Sequence, residues 1–65
     1  MLNVTVNPAI DPVEVELVKE YMTRVHPNVT VYTMTTGNKC VWVYYSHINM
    51  YFIFREGKIL DVQID

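Results

Sequence analysis

The fold of this chain is decided by residues 41–54, VWVYYSHINMYFIF. The stretch reads as a β-hairpin that is apolar or aromatic on both faces, because strand side chains alternate between the two sides of a sheet. A chain of 65 residues with one candidate helix can cover only one of those sides. The uncovered side is therefore expected to meet a partner.

A helix is predicted to begin at residues 11–14. Asp11 can cap the first turn, Pro12 suits the first helical position, and Glu14 completes a pattern similar to a capping box. His26 precedes Pro27, and the residue before a proline is disfavoured in the helical conformation, so the helix is expected to end there. The apolar residues at helical spacing, which are expected to form the buried stripe, are Val13, Leu17, Val18, Tyr21, Met22 and Val25.

The other segments alternate in polarity or are rich in β-branched and aromatic residues, which predicts strands. The predicted strands cover residues 2–6, 29–34, 40–45, 50–55 and 59–64, with turns at Gly37-Asn38 and at residues 46–49. The expected fold class is α+β, with an N-terminal strand and one helix packed on a four-stranded antiparallel meander. Residues 1–65 are expected to form a single domain, since a chain of this length is near the lower limit of independent folding.

The last turn decides which residues of the final strand face the helix. A two-residue turn at Glu56-Gly57 would place Asp61 opposite Phe52 and would give Glu56 a positive φ, which it tolerates poorly. A three-residue loop at residues 55–57 places Leu60 opposite Phe52 instead. We predict the three-residue loop, because a slip of one residue moves every side chain to the wrong side of the sheet.

Carrying this alternation through the turns divides the meander into two rows. The row expected to face the helix is Val41, Val43, Tyr45, Met50, Phe52, Phe54, Leu60, Val62 and Ile64. The opposite row, which we predict to bind a protein, is Trp42, Tyr44, Tyr51, Ile53 and Ile59. Tryptophan and tyrosine are enriched at interface hot spots, which favours this row as the functional surface. Two other outcomes stay open: the N-terminal segment can fold back over this row, or the assumed alternation can be wrong.

Composition narrows the classes of function. Cys40 is the only cysteine, so a disulfide is excluded, and one cysteine with two histidines does not make a zinc site. The formal net charge of −2 and the dispersed basic residues disfavour a dedicated nucleic-acid binder. No segment approaches the ~20 apolar residues of a membrane span. No pattern typical of a signal peptide is visible, so the cytoplasm is the expected location.

No motif indicates catalysis, and no catalytic, metal-binding or cofactor-binding residues are predicted. His26, His47 and Cys40 have no partner that the sequence identifies as a base or a ligand. The acidic residues of the predicted helix are Asp11, Glu14, Glu16 and Glu20. Such a face is more often simply solvated than a docking site, although it can attract a basic partner.

The sequence therefore favours a small non-enzymatic protein-binding module, acting as a homodimer or by docking its aromatic row on a target protein. Compact, acidic, cysteine-poor chains without motifs are typical of proteins that viruses and mobile elements use to block a host protein, which suggests an inhibitor. The alternatives are a nucleic-acid-binding accessory protein and a subunit of a small-molecule enzyme.

Overall fold

The structure is a computed structural model that describes residues 2–37 and 40–65. Within these residues the chain forms one helix and a five-stranded mixed sheet, an α+β fold. The elements are β1 (Asn3–Val6), α1 (Pro12–Val25), β2 (Val31–Gly37), β3 (Cys40–Tyr45), β4 (Ile48–Arg55) and β5 (Lys58–Ile64). The strands lie in the order β1-β2-β3-β4-β5, so each strand neighbours the next one in sequence.

The N-terminal strand β1 lies at one edge of the sheet. It pairs in parallel with β2, so that Val4 lies opposite Tyr32 and Val6 opposite Met34, while all later strands pair antiparallel. Because β1 extends the sheet sideways, it does not fold over the aromatic row. This excludes the first of the two other outcomes that the sequence left open.

The ends of α1 follow the local signals in the sequence. The Asp11 side chain accepts a hydrogen bond of 2.8 Å from the Val13 N–H, and Pro12 occupies the first turn. His26 closes the helix by donating its backbone N–H to the Met22 carbonyl oxygen at 2.9 Å. Both predicted boundaries are therefore confirmed.

The face that α1 buries differs from the predicted stripe. The buried residues are Val15, Val18 and Met22, whereas Val13 is 61% exposed and Val25 is 45% exposed. Leu17 is only half-buried. A helix turns by about 100° per residue, so Val13 and Val15 lie on nearly opposite sides and cannot both face the sheet. Including Val13 and Val25 in the stripe, and omitting Val15, was wrong.

The core lies between α1 and one face of the sheet. Its buried residues are Ile10, Val15, Val18, Met22, Tyr32, Met34, Val41, Val43, Met50 and Phe52. Phe52, which is fully buried in the middle of β4, meets the ring of Tyr21 edge-on at a centroid distance of 5.1 Å. Such an aromatic pair stabilises by about 0.5–1.5 kcal/mol beyond the area that it buries.

The hairpin formed by β3 and β4 confirms the predicted alternation. Val41 lies opposite Phe52 and Val43 opposite Met50, all on the helix side. The turn is tighter than residues 46–49, because it contains only Ser46 and His47. Both have positive φ, 46° and 66°, as the turns that match the twist of a hairpin require.

The β2–β3 connection is only partly described. Asn38, which belongs to the predicted Gly37-Asn38 turn, lies outside the described residues. Gly37 is the last residue of β2 and lies opposite Cys40. β2 begins at Val31, two residues later than predicted.

The turn between β4 and β5 contradicts the predicted three-residue loop. Arg55 lies opposite Lys58, so the turn contains only Glu56 and Gly57, with φ values of 54° and 75°. Glu56 thus adopts the left-handed backbone conformation. This conformation costs about 1–2 kcal/mol for an L-residue other than asparagine or aspartate.

An irregularity in β5 then corrects the register. Phe54 lies opposite Ile59 but Ile53 lies opposite Asp61, which leaves Leu60 as an extra residue in a β-bulge. As a result Phe52 lies opposite Val62, and neither Leu60 nor Asp61 faces it. The predicted places of two apolar residues are therefore wrong: Ile59 packs on the core side, and Leu60 is 60% exposed. Ile64 lies opposite Met50 on the predicted side of the sheet, but its side chain is 64% exposed.

Among the described residues, one buried side-chain polar atom of the core has no hydrogen-bond partner. The Tyr32 side chain is 2% exposed, and its hydroxyl oxygen has no hydrogen-bond partner among the described residues. Burial also raises the pKa of the Tyr32 hydroxyl, because the charged phenolate is poorly solvated there.

Replacing Glu56 should stabilise the fold. Asparagine tolerates positive φ and Asn-Gly is a favoured two-residue turn, so Glu56→Asn should raise the free energy of unfolding by about 0.5–1 kcal/mol in urea titrations. Glu56→Gln is the control, since it removes the same charge without relieving the backbone. An equal gain in both variants would contradict the strained turn.

Tyr32→Phe should raise the free energy of unfolding by about 1 kcal/mol at neutral pH, because it removes an unpaired buried hydroxyl. The raised pKa predicts that the wild type loses further stability relative to the variant above about pH 10, where tyrosine ionises in the unfolded chain. Below that pH the hydroxyl is neutral in both the folded and the unfolded chain, so the difference in free energy of unfolding between wild type and variant should not change with pH. Loss of stability in the variant at pH 7 would show that the hydroxyl has a partner.

Candidate functional site

The candidate site is the sheet face opposite α1, called the outer face below. Along β3 and β4, outer-face residues alternate with the buried core residues. The outer face contains Trp42, Tyr44, Tyr51 and Ile53. Four of the five predicted site residues therefore lie together. Ile59 does not join them, because the bulge in β5 turns it towards the core.

Trp42 and Tyr51 form the centre of the outer face. They are direct cross-strand partners, with ring centroids 4.2 Å apart and ring planes inclined by 46°. The Trp42 indole N–H donates a hydrogen bond of 3.3 Å to the Gly37 carbonyl oxygen, which fixes the direction of the indole ring. The pair thus presents a preorganised aromatic surface, and both side chains are half-buried by their neighbours.

Tyr44 extends this surface towards the β3–β4 turn. Its side chain is 44% exposed, and its hydroxyl lies 3.4 Å from Nδ1 of His47. His47 is the second residue of the two-residue turn, and in this position its ring contacts the Tyr44 hydroxyl. No partner for His47 was predicted from the sequence, and the structure identifies Tyr44 as its neighbour.

The margins of the outer face are polar except at Val31, which lies on the same face of β2 as Thr33 and is 65% exposed. On the side of β1 and β2 the face continues as Thr5, Thr33 and Thr35. On β5 it carries Asp61 and Gln63, which lie opposite Ile53 and Tyr51. The alternation along β4 places Arg55 at one end of the same face, opposite Lys58. An aromatic centre with polar margins is the usual anatomy of a protein interface.

The other chemistry-bearing side chains within residues 2–37 and 40–65 are dispersed. The Cys40 thiol donates to the Gly37 carbonyl oxygen at 3.1 Å. In the described part of the chain, no three residues among His, Cys, Asp and Glu lie close enough together to hold a metal ion. Apart from Tyr32, every buried residue there is apolar.

A second exposed apolar surface lies on the outward side of α1. It is a shallow depression lined by Pro12, Val13, Glu16, Leu17 and Glu20. Val13 and Leu17 reach this surface because they lie away from the sheet. The surface lacks aromatic side chains, so it is a weaker candidate for a hot spot than the outer face.

The helical part of the described residues shows no segment with the length and apolarity of a membrane span. No protein-family model matches the chain, and no curated protein or solved structure matches it.

The contact between Trp42 and Tyr51 should be measurable as a coupling energy. A double-mutant cycle of Trp42→Ala and Tyr51→Ala, followed by urea unfolding, should give a coupling of about 0.5–1.5 kcal/mol. The cycle of Trp42→Ala with Val13→Ala is the control, and these changes should be additive because the two residues lie on opposite sides of the molecule. Additivity in the first cycle would show that the rings do not interact.

Proposed function

We propose that this protein is a non-enzymatic protein-binding module whose outer face is the contact surface for a partner protein. The observation that carries the proposal is the paired Trp42 and Tyr51 rings on a sheet face that neither α1 nor β1 covers. Large aromatic side chains on an uncovered face gain free energy when a partner excludes water from them.

The residues around the aromatic pair support a protein as the ligand. Tyr44, Trp42 and Tyr51 each combine an apolar ring with a polar atom, so they can bury area and still satisfy hydrogen bonds at an interface. The threonine margin on β1 and β2 and the amide of Gln63 offer additional polar contacts without a high density of charge. This composition fits a rim that remains partly hydrated.

The mode of action that we infer is steric occlusion. On the outer face the Cys40 thiol donates to a carbonyl oxygen, and the Tyr44 hydroxyl contacts His47. Binding itself would then be the functional event, with the aromatic side chains as anchors. An inhibitor of a host protein, encoded by a virus or a mobile element and acting in the cytoplasm, fits the small acidic composition.

A second candidate function is binding of single-stranded nucleic acid. Arg55 and Lys58 lie opposite each other at one end of the outer face, near rings that can stack on bases. Asp61 on the same face disfavours such binding, because its carboxylate repels the phosphate groups of a nucleic acid. Binding of an oligonucleotide that weakens steeply with salt would favour this candidate over a protein partner.

Truncating the aromatic side chains of the outer face should weaken binding to the partner without changing the fold. Immobilised wild type should capture a partner, and Trp42→Ala and Tyr51→Ala should each weaken the measured affinity for that purified partner by at least tenfold, since hot-spot truncations cost about 2 kcal/mol or more. Val13→Ala is the matched control, because it truncates an exposed apolar residue on α1.

Two results would contradict the proposal. One is unchanged affinity in both outer-face variants with intact circular dichroism spectra. The other is loss of affinity in Val13→Ala alone, which would assign the interaction to the outward side of α1.

A further inference from the structure

Strand β5 forms the second edge of the sheet, and among the described residues no strand pairs with its free side. Its exposed apolar residues, Leu60 and Ile64, are the kind of feature that makes an edge prone to pair with another chain. An edge strand presents unpaired backbone N–H and C=O groups, so it can form hydrogen bonds with a second extended strand.

The hydrogen bonding to β4 shows which groups of β5 point outward. The Asp65 N–H donates to the Asn49 carbonyl oxygen at 2.8 Å, so these two residues form a hydrogen-bonded pair. Such pairs alternate with non-hydrogen-bonded pairs along an antiparallel ladder. Val62 and Ile64 belong to the non-hydrogen-bonded pairs, and their backbone N–H and C=O groups therefore point to the free edge.

One of these outward groups is occupied by a neighbouring carboxylate. The Val62 N–H donates to Oδ1 of Asp61 at 2.9 Å, and the Gln63 side-chain amide donates to Oδ2 of the same residue at 3.2 Å. Gln63 thus holds the carboxylate where it competes with any incoming strand for the Val62 N–H. Asp61 is exposed, so an incoming strand can displace it.

We propose that the free edge of β5 is a self-association edge for a second copy of this chain, and that Asp61 keeps this association weak. In the antiparallel arrangement Val62 lies opposite Val62 of the second copy, and Leu60 lies opposite Ile64. The two outward-pointing Val62 residues exchange backbone hydrogen bonds across the two-fold axis, and the exposed apolar side chains cover each other.

The charge of Asp61 favours this register for pairing with a second copy of the chain. A shift of two residues in one direction places Asp61 opposite Asp61 of the second copy, and a shift in the other direction places it opposite Asp65. The proposed register places Asp61 opposite Gln63, which can donate to it as it already does within one chain. It also brings Lys58 of one copy to the same end as Asp65 of the other.

This inference goes beyond the proposed function and does not depend on it. Pairing at the edge joins two sheets side by side, so both outer faces stay open and lie on the same side of the assembly. The two claims can therefore fail separately in experiments with the same set of variants.

The test is sedimentation equilibrium of the full chain over a range of concentrations. Asp61→Ala should lower the dimer dissociation constant at least tenfold relative to the wild type, because it frees the Val62 N–H. Asp65→Ala is the matched control, since it removes the same charge from the same edge without freeing that group, and it should change the constant less than threefold.

Adding Ile64→Pro to Asp61→Ala should restore the weak association. Proline removes an outward N–H that β4 does not use, so the sheet within the chain is kept, as circular dichroism can verify. Equal dissociation constants for Asp61→Ala and wild type would overturn the proposal. So would an association that survives Ile64→Pro or disappears in Trp42→Ala.

The register can be tested by cross-linking in a Cys40→Ala background. Val62→Cys should form a disulfide-linked dimer under mild oxidation, because directly opposed residues lie within disulfide reach. Gln63→Cys should not, since its counterpart in the second copy is displaced by two residues. Efficient cross-linking of Gln63→Cys with none for Val62→Cys would overturn the proposed register.

Discussion

The structure depends on the packing of one helix against one face of a sheet. A helix is about 10–12 Å across with its side chains, and α1 lies on one side of the five-stranded sheet. It can therefore cover one face of the sheet and leaves the other face without a helix. In the described residues nothing covers the other face, and the aromatic residues of β3 and β4 that alternate with the core are left there.

The bulge in β5 completes this division between the faces. A tight turn at Glu56-Gly57 would by itself have aligned Asp61 with Phe52, at the centre of the core. The extra residue, Leu60, moves the register by one position after Ile59, so that Val62 meets Phe52 and Asp61 meets Ile53 on the outer face. One irregular residue thus keeps a carboxylate out of the core and leaves it where it can bond to the edge of β5.

Features set by local chemistry could be predicted from the sequence. The caps of α1 and the alternation through Val41–Phe52 follow from neighbouring residues, and both are confirmed. The buried face of α1 was not predictable in the same way, since stripes containing Val13 or Val15 are both apolar and only packing on the sheet selects between them. The prediction that no charged residue lies opposite Phe52 was correct. A three-residue loop at residues 55–57 and a bulge at Leu60 both meet this requirement, and the sequence does not distinguish them. For this reason Ile59 was placed on the wrong face while Trp42, Tyr44, Tyr51 and Ile53 were placed correctly.

Binding through the outer face requires that its aromatic side chains be accessible to solvent while the core residues that alternate with them are not. The most direct measurement is the relaxation enhancement of side-chain NMR signals by a soluble paramagnetic agent. The structure predicts strong enhancement for Trp42, Tyr44 and Tyr51 and little for Val43, Met50 and Phe52. Protection of Trp42 and Tyr51 equal to that of Phe52, in a sample that sediments as a monomer, would show that the chain covers its own outer face and would contradict the account.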